Sequence, residues 1–253
     1  MGLVYFITGA NRGIGLEFVR QLASADSSNK VIATVREPSK AKDLEELKHK
    51  NPNIHIIKLD VSTQESIDSI EDQIKDIAQE GIDIFISNAG YANVTTTLLD
   101  TDRESWFDHF NINTVAPIQI TKVLYKYLRK RSTKKIVFLS SIAASLTDPP
   151  IIPTGAYGLS KAGLNHYNRS LSVELKDEGF IIVSIHPGSV NTDMSNGRLD
   201  TIQGIPKERI EQIRSGLIST EECVSGILGK VVDKITIEDT GKFYNHDGSQ
   251  RNF

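Results

Sequence analysis

Short uninterrupted apolar runs, each followed by a helical pattern, constrain this chain more than any other feature. Leu3 to Ile7, Lys30 to Val35, Asn53 to Leu59, Asp83 to Ser87, Lys135 to Leu139 and Phe180 to Ile185 are rich in β-branched and aromatic residues, and Gly241 to Asn245 forms a last short run. Most show no alternation of polar and apolar residues, so both faces of these strands are covered. Between them lie helical segments. Ile14 to Ala25 is amphipathic, Ser39 to Lys50 polar, and Gln64 to Gln79 carries isoleucines at 67, 70, 74 and 77. Asp102 to Arg131 is a long helical stretch in which Pro117 is expected to kink or split the helix. Tyr157 to Asp177, Pro206 to Ser215 and Thr220 to Val232 complete the set. Strand–helix alternation of this kind predicts an α/β fold. The expected form is one Rossmann-type, doubly wound parallel sheet of about seven strands with helices on both faces. No repeat or interior linker divides residues 1–253, so a single domain is expected.

Composition narrows the function classes. A net charge of −3 gives no basic surface for nucleic acid. The basic run from Lys126 to Lys135 is broken by apolar residues and reads as a solvated helix end. The one cysteine, Cys223, allows neither an internal disulfide nor a cysteine metal cluster, so no metal is expected. No apolar run is long enough to span a membrane. The expectation is a cytoplasmic protein acting on a small molecule, without nucleic acid or membrane partners.

Thr8-Gly9-Ala10-Asn11-Arg12-Gly13-Ile14-Gly15 sits between the first strand and the first helix. Gly9 can turn the chain out of the strand, Gly13 lets the backbone approach a pyrophosphate, and Gly15 lets helix and sheet pack closely. The helix N-terminus then offers N–H groups and a positive dipole end to an anion. Where the second strand ends, Arg36 occupies the place at which an acidic residue would hold a ribose 2′-hydroxyl. A guanidinium suits a 2′-phosphate, and Arg12 could clamp the same group, so NADPH/NADP+ is the expected cofactor. The alternative is that both arginines are solvated and Glu37 takes the ribose.

Tyr157 and Lys161 lie four residues apart at the start of an amphipathic segment, which puts them on one helix face. An ammonium beside a phenol favours the phenolate, and a phenol tuned this way can give a proton to a developing alkoxide. The pair by itself is equally compatible with a solvated helix face.

Taken together these residues resemble the short-chain dehydrogenases/reductases of the compact single-domain type, over essentially the whole chain. The family's TGxxxGxG is matched by Thr8-Gly9 to Gly15. Asp60-Val61 matches its adenine contact, Asn88-Ala89-Gly90 its NAG motif, and Asn113 the asparagine of its long central helix. Ser140-Ser141, Tyr157 and Lys161 follow in order, then Pro187-Gly188 and Thr192. The resemblance implies that Tyr157 is the general acid in carbonyl reduction and that Lys161 holds the nicotinamide ribose. It implies that Ser141 binds the substrate carbonyl, with Ser140 as its neighbour in register, and that Asn113 binds a water in a proton relay; Asn111 lies close by. It assigns cofactor contacts to Gly9, Asn11, Arg12, Gly13, Ile14, Arg36, Asp60, Val61, Asn88, Ala89, Gly90, Pro187, Gly188, Val190 and Thr192, beside Tyr157 and Lys161. Substrate contacts fall to Ser141, Tyr157 and Tyr91. The segment from Leu146 to Pro153 is longer than in most members and holds three prolines. Its Ile151 and Ile152 either face the substrate or tuck into a surface loop, and residues 188–217 form the substrate-binding flap.

The short N-terminus, the run His186 to Met194 and the ending Gly241 to Gly248 further resemble the C-factor-like, sniffer-like and benzil-reductase-like carbonyl reductases. That implies an NADPH-dependent reductase of a neutral ketone or diketone, as a monomer or homodimer. The alternatives are an NADP(H)-binding regulator with little turnover, or a sepiapterin-type pterin reductase. A nucleotide-sugar epimerase fits less well, because its glycine spacing and larger C-terminal lobe differ.

Overall fold

The computed structural model describes residues 2–93, 98–148, 154–202 and 204–253. Its strands are β1 (Val4–Ile7), β2 (Lys30–Val35), β3 (Ile54–Lys58), β4 (Ile84–Ser87), β5 (Lys135–Leu139), β6 (Ile181–His186), β7 (Phe243–Asn245) and β8 (Gln250–Arg251). They form one sheet in the order β3-β2-β1-β4-β5-β6-β7-β8. The chain winds outward from β1 in one direction and from β4 in the other, so the switch point lies between β1 and β4, where such sheets bind ligands. Seven strands run parallel, as expected. The eighth, β8, pairs antiparallel with β7 through Phe243–Arg251 and Tyr244–Gln250 and was not expected. Two residues carry too little pattern to be read as a strand.

The helices are α1 (Gly13–Ala25), α2 (Lys42–Lys50), α3 (Gln64–Asp68), α4 (Ile70–Ile74), α5 (Arg103–Phe110), α6 (Ala116–Leu128), α7 (Gly155–Glu174), α8 (Asp193–Thr201), α9 (Lys207–Ser215) and α10 (Thr220–Gly226). Two apolar cores flank the sheet. One holds Ile7, Phe18, Val19, Ile86, Val137, Val183, Val224 and Ile227, beneath α1 and α10. The other holds Phe6, Ile70, Ile74, Phe85, Ile120, Leu124, Phe138, Leu164 and Ile182, beneath α4, α6 and α7. Residues adjacent along a strand fall in opposite cores, which is why the strand sequences are apolar without alternation. Among the described residues no helix is long and apolar enough to cross a membrane.

Several expected helices are corrected. The stretch Gln64 to Gln79 is two short helices meeting at Ser69, and it ends at Ile74. The stretch from Ser39 begins as a 3-10 turn, Pro38–Lys40. The long helix is split, as Pro117 foretold, but through a π-helical turn over Asn111–Val115, closed by the Ala116 N–H donating to Asn111 O. Proline has no N–H for the carbonyl four residues back, and the widened turn absorbs that mismatch. A second π-helical stretch, Ile227–Val232, continues α10. Helix α8 was not anticipated, because Asp193–Thr201 has no apolar stripe.

The switch point is locked by side chains. The Thr8 hydroxyl accepts from the N–H groups of Asn88 (3.0 Å) and Ala89 (2.9 Å). The Asn88 amide donates back to the carbonyls of Thr8 (2.9 Å) and Gly9 (3.1 Å). A Cβ on Gly15 would lie 2.1 Å from Gly9 O and 2.6 Å from Asn88 Nδ2, so only glycine lets α1 close on this knot. At the opposite end of the sheet, buried Asp83 accepts from Val4 N (2.9 Å), Arg131 and Thr133 Oγ1 (2.8 Å), joining β1, β4 and the chain entering β5.

Candidate active site

The first turn of α1 is built to receive an anion. Gly9 and Gly13 have positive φ (68° and 55°), which wraps the loop around the helix start. Arg12, just before the helix, supplies no capping side chain, and no acidic residue lies in the first turn. The leading N–H groups of a thirteen-residue helix are therefore open to a phosphate. Thr192 sits over this loop, since a Cβ on Gly13 would meet its methyl at 3.4 Å. Val190 is buried, and Ser189–Asn191 pairs with Ile218 in both directions (2.9 Å each), so the flap is pinned at its base.

Both arginines are exposed, but they differ in placement. Arg36 projects where β2 ends, beside a cleft of about 690 Å³ that is also lined by Glu37, Lys58 and Asp60. Glu37 is engaged at 2.6 Å by Lys40, whose hydrogen bond, and then its charge, hold the carboxyl below the usual range. Asp60 turns its carboxylate onto the N–H (2.9 Å) and hydroxyl (2.7 Å) of Ser62. Arg12 does not converge on Arg36 in this structure; it reaches Asp193 at the start of α8, 3.4 Å away.

Helix α7 carries Tyr157 and Lys161 on one face, with the ammonium 6.0 Å from the phenol ring centre. Lys161 is 4 % exposed, and its Nζ donates to Leu139 O at the end of β5 (2.8 Å). Burial pushes its pKa down to about 8. Ser141 begins a 3-10 turn, Ile142–Ala144, and its hydroxyl accepts from Ala143 N (3.2 Å). This turn packs on the start of α7 because residue 158 is glycine. A Cβ there would lie 2.8 Å from Ala143 O and 2.5 Å from Thr154 Oγ1. Gly158 is thus a site-shaping residue that the motif reading passed over. Ser140 is buried, and its hydroxyl finds no partner among the described residues.

Asn113 is fully buried in the π-helical turn. Its amide donates to Tyr91 O (2.8 Å) and Ser160 Oγ (2.9 Å), and its oxygen accepts from Tyr91 N (2.8 Å). The side chain therefore clamps the segment after β4 to α7, and both of its donors are spent. A Cβ on Gly90 would come within 3.6 Å of Lys161 Nζ and 3.4 Å of Asn113 Oδ1, so that glycine leaves room directly over the ammonium. Asn111 points away, donating to Ser62 O (2.9 Å). A further residue escaped the sequence reading. His109 is fully buried, packs on the Tyr91 ring at 4.7 Å, takes the N–H of Asn93 on Nε2 (3.1 Å) and lies 2.7 Å from Ser105 O through Nδ1. It fixes Tyr91 in place. A lone histidine inside an amphipathic pattern gives no signal of this. Ile151 and Ile152 lie outside the described residues, so their assignment to the substrate is carried by sequence alone.

The short chain dehydrogenase family model matches residues 3–203. The chain belongs to the short-chain dehydrogenase family. Among its relatives, an uncharacterized oxidoreductase of Saccharomyces cerevisiae is 40% identical over 98% of this chain and 96% of its own length. Another, of Schizosaccharomyces pombe, is 38% identical over 100% and 98%. Among solved structures, the NADPH-bound carbonyl reductase from chicken fatty liver superposes with a TM-score of 0.87 at 29% identity, covering 100% of both chains. The carbonyl reductase Sniffer of Drosophila melanogaster gives 0.85 at 26%, again over 100% of both. As a member of this family the chain is an oxidoreductase that uses a nicotinamide cofactor. The open α1 terminus and the space over Lys161 fit such a group.

The buried ammonium has a stability consequence. Between pH of about 8 and about 10.5 an unfolded lysine keeps its proton while folded Lys161 has lost it, so stability rises with pH across that window. Below pH 8 the full cost of the buried charge is present. Lys161→Met should therefore raise the melting temperature of the cofactor-free protein at pH 7, by about 1–3 kcal/mol of stability. The gain should shrink as pH rises through 8 toward 10. A lower melting temperature at pH 7, followed by circular dichroism, contradicts the assignment of a strained buried charge.

Proposed function

We propose that the chain is an NADPH-dependent reductase of neutral ketones or diketones, with Tyr157 as the general acid. The observation that carries this reading is the buried Lys161 ammonium on the same helix face as Tyr157, with the Ser141 turn drawn against that helix at Gly158. With its pyrophosphate at the α1 terminus, the reduced cofactor would supply a hydride to the carbonyl carbon. Tyr157 delivers a proton to the carbonyl oxygen as negative charge grows there. Ser141 donates a hydrogen bond to that oxygen, its hydroxyl free to rotate away from the 3-10 turn. Lys161 would hold the ribose hydroxyls, and its charge beside the phenol favours loss of the Tyr157 proton. Asn113 acts by position, with its two amide N–H bonds committed to the Tyr91 carbonyl and the Ser160 hydroxyl, beside the place of a relay water.

NADPH over NADH is supported by Arg36 at the β2 end, with the competing carboxylate of Glu37 already held by Lys40. The likeness to the NADPH-bound chicken carbonyl reductase supports the same choice. An apolar substrate is supported by Leu146 and Met194, which the flanking segments leave exposed. Of the remaining proposed cofactor contacts, Gly9, Asn11, Val61, Ala89, Gly90, Pro187 and Gly188 lie in the turns that follow the strands, and Gly13 and Ile14 open α1.

Two substitutions test the reading. Tyr157→Phe should leave NADPH affinity within about twofold, by fluorescence titration, and lower kcat by about 10²–10⁴; a variant that retains turnover contradicts the acid assignment. Arg36→Asp should weaken NADPH binding by about 10–100-fold and shift preference toward NADH. An unchanged preference would assign the 2′-phosphate to another cation, Lys58 or Arg12.

A further inference from the structure

Residues 245–253 do not end in solvent. They reach back to the segment that follows Ser141. The Arg251 guanidinium pairs with the Asp148 carboxylate, is 18 % exposed, and is held from the other side by Asn245 Oδ1 (3.2 Å). Asn252 O accepts from Ser145 Oγ (3.4 Å), and the same hydroxyl accepts from the N–H groups of Thr147 (3.3 Å) and Asp148 (3.2 Å). Phe253 stacks on Phe243 of β7 at 5.6 Å and 19°. β8 therefore rests on a packed ring pair and presents Arg251 to Asp148. The same hairpin also touches the other flank of the site. A Cβ on Gly188 would lie 3.0 Å from His246 Nδ1, and His246 N donates to His186 O (2.9 Å).

We propose that the β7–β8 hairpin is a strut for the substrate side of the site, and that Arg251 is a positioning residue setting substrate affinity through Asp148. Among the described residues the turn Ser145–Asp148 carries no strand pairing, and its bonds are Ser145 N to Ile142 O, the Ser145 hydroxyl bonds and the Arg251 pair. Ser141 and the 3-10 turn sit immediately before it. Loosening the turn disturbs where the substrate rests, whereas Tyr157 and Lys161 stay fixed by α7. A planar guanidinium held by two oxygen partners restricts the turn more than a lysine would. The arrangement was hidden in the sequence because Asp148 and Arg251 are far apart in the chain and neither falls in a family motif.

This inference rests on the ketone-reductase reading, and the test separates the two. With benzil as substrate, Arg251→Ala and Asp148→Ala should each raise KM about three- to tenfold with kcat within about twofold, the pattern of lost ground-state binding. NADPH affinity should stay within about twofold. The double variant should be no worse than either single one, because both remove the same contact. Arg251→Lys should fall between, and the charge-swapped pair Asp148→Arg with Arg251→Asp should recover part of the loss. Unchanged KM in both single variants, additive losses, or kcat and KM falling only in step with melting temperature would overturn the strut. Hydrogen–deuterium exchange gives a readout without turnover: amides of residues 142–148 should exchange faster in Arg251→Ala, with those of α1 unchanged. If the wild type reduces no ketone but that exchange pattern holds, the function reading fails and the strut stands. No change in exchange overturns the strut whatever the substrate.

Discussion

The buried ammonium of Lys161 is the constraint around which the rest of the site is arranged. A charge taken out of water is unfavourable unless it is paired or hydrogen-bonded. In the cofactor-free protein Lys161 has the carbonyl of Leu139, at the point where β5 has left its pairing with β4. The C-terminal end of β5 thus offers the ammonium a main-chain acceptor. Around it, Asn113 ties the chain after β4 to α7, and Thr114 Oγ1 donates to Ser160 O one turn on (2.7 Å). The π-helical turn exists where Asn113 needs to reach sideways, and Pro117 makes that turn the easier conformation. In the proposed mechanism a buried, hydrogen-bonded cation beside a phenol serves proton transfer. A pure NADP(H) sensor has no need of it, which weighs against the regulatory alternative.

Much of this was legible in the sequence, for a physical reason. Strands buried on both faces are written as apolar runs, so β2 and β5 emerge with the boundaries expected of them, and the other parallel strands within a residue or two. The phosphate loop was legible because its glycines are demanded by geometry rather than by ligand alone. Gly15 is where α1 touches the Gly9 carbonyl and the Asn88 amide. The Tyr157–Lys161 pair was legible because helical spacing is fixed.

What was not legible has equally definite causes. Asn113 was read as binding a relay water, and the reading did not include its ties to the Tyr91 main chain and the Ser160 hydroxyl, because a single letter cannot say which way an amide points. Arg36 was read as the 2′-phosphate-binding group with Arg12 able to join it, and the reading did not include the Arg12 contact to Asp193 across the loop. The flap's first helix, α8, lacks apolar periodicity and is set by its base, where residues 189–191 meet Ile218. His109 behind Tyr91, Gly158 against the Ser141 turn and the Arg251–Asp148 pair all depend on contacts across the fold. Family motifs mark the chemistry and are silent about such supports.

The most direct measurement is the initial rate of reduced-nicotinamide oxidation by the wild-type protein, followed by the loss of its near-ultraviolet absorbance, with NADPH and separately NADH against benzil. The account predicts oxidation of NADPH with kcat/KM at least about tenfold above that for NADH, one unit of ten in rate corresponding to ~1.4 kcal/mol from the Arg36 contact. Equal use of the two cofactors, or tight NADPH binding with no turnover of benzil or other neutral ketones, would contradict it.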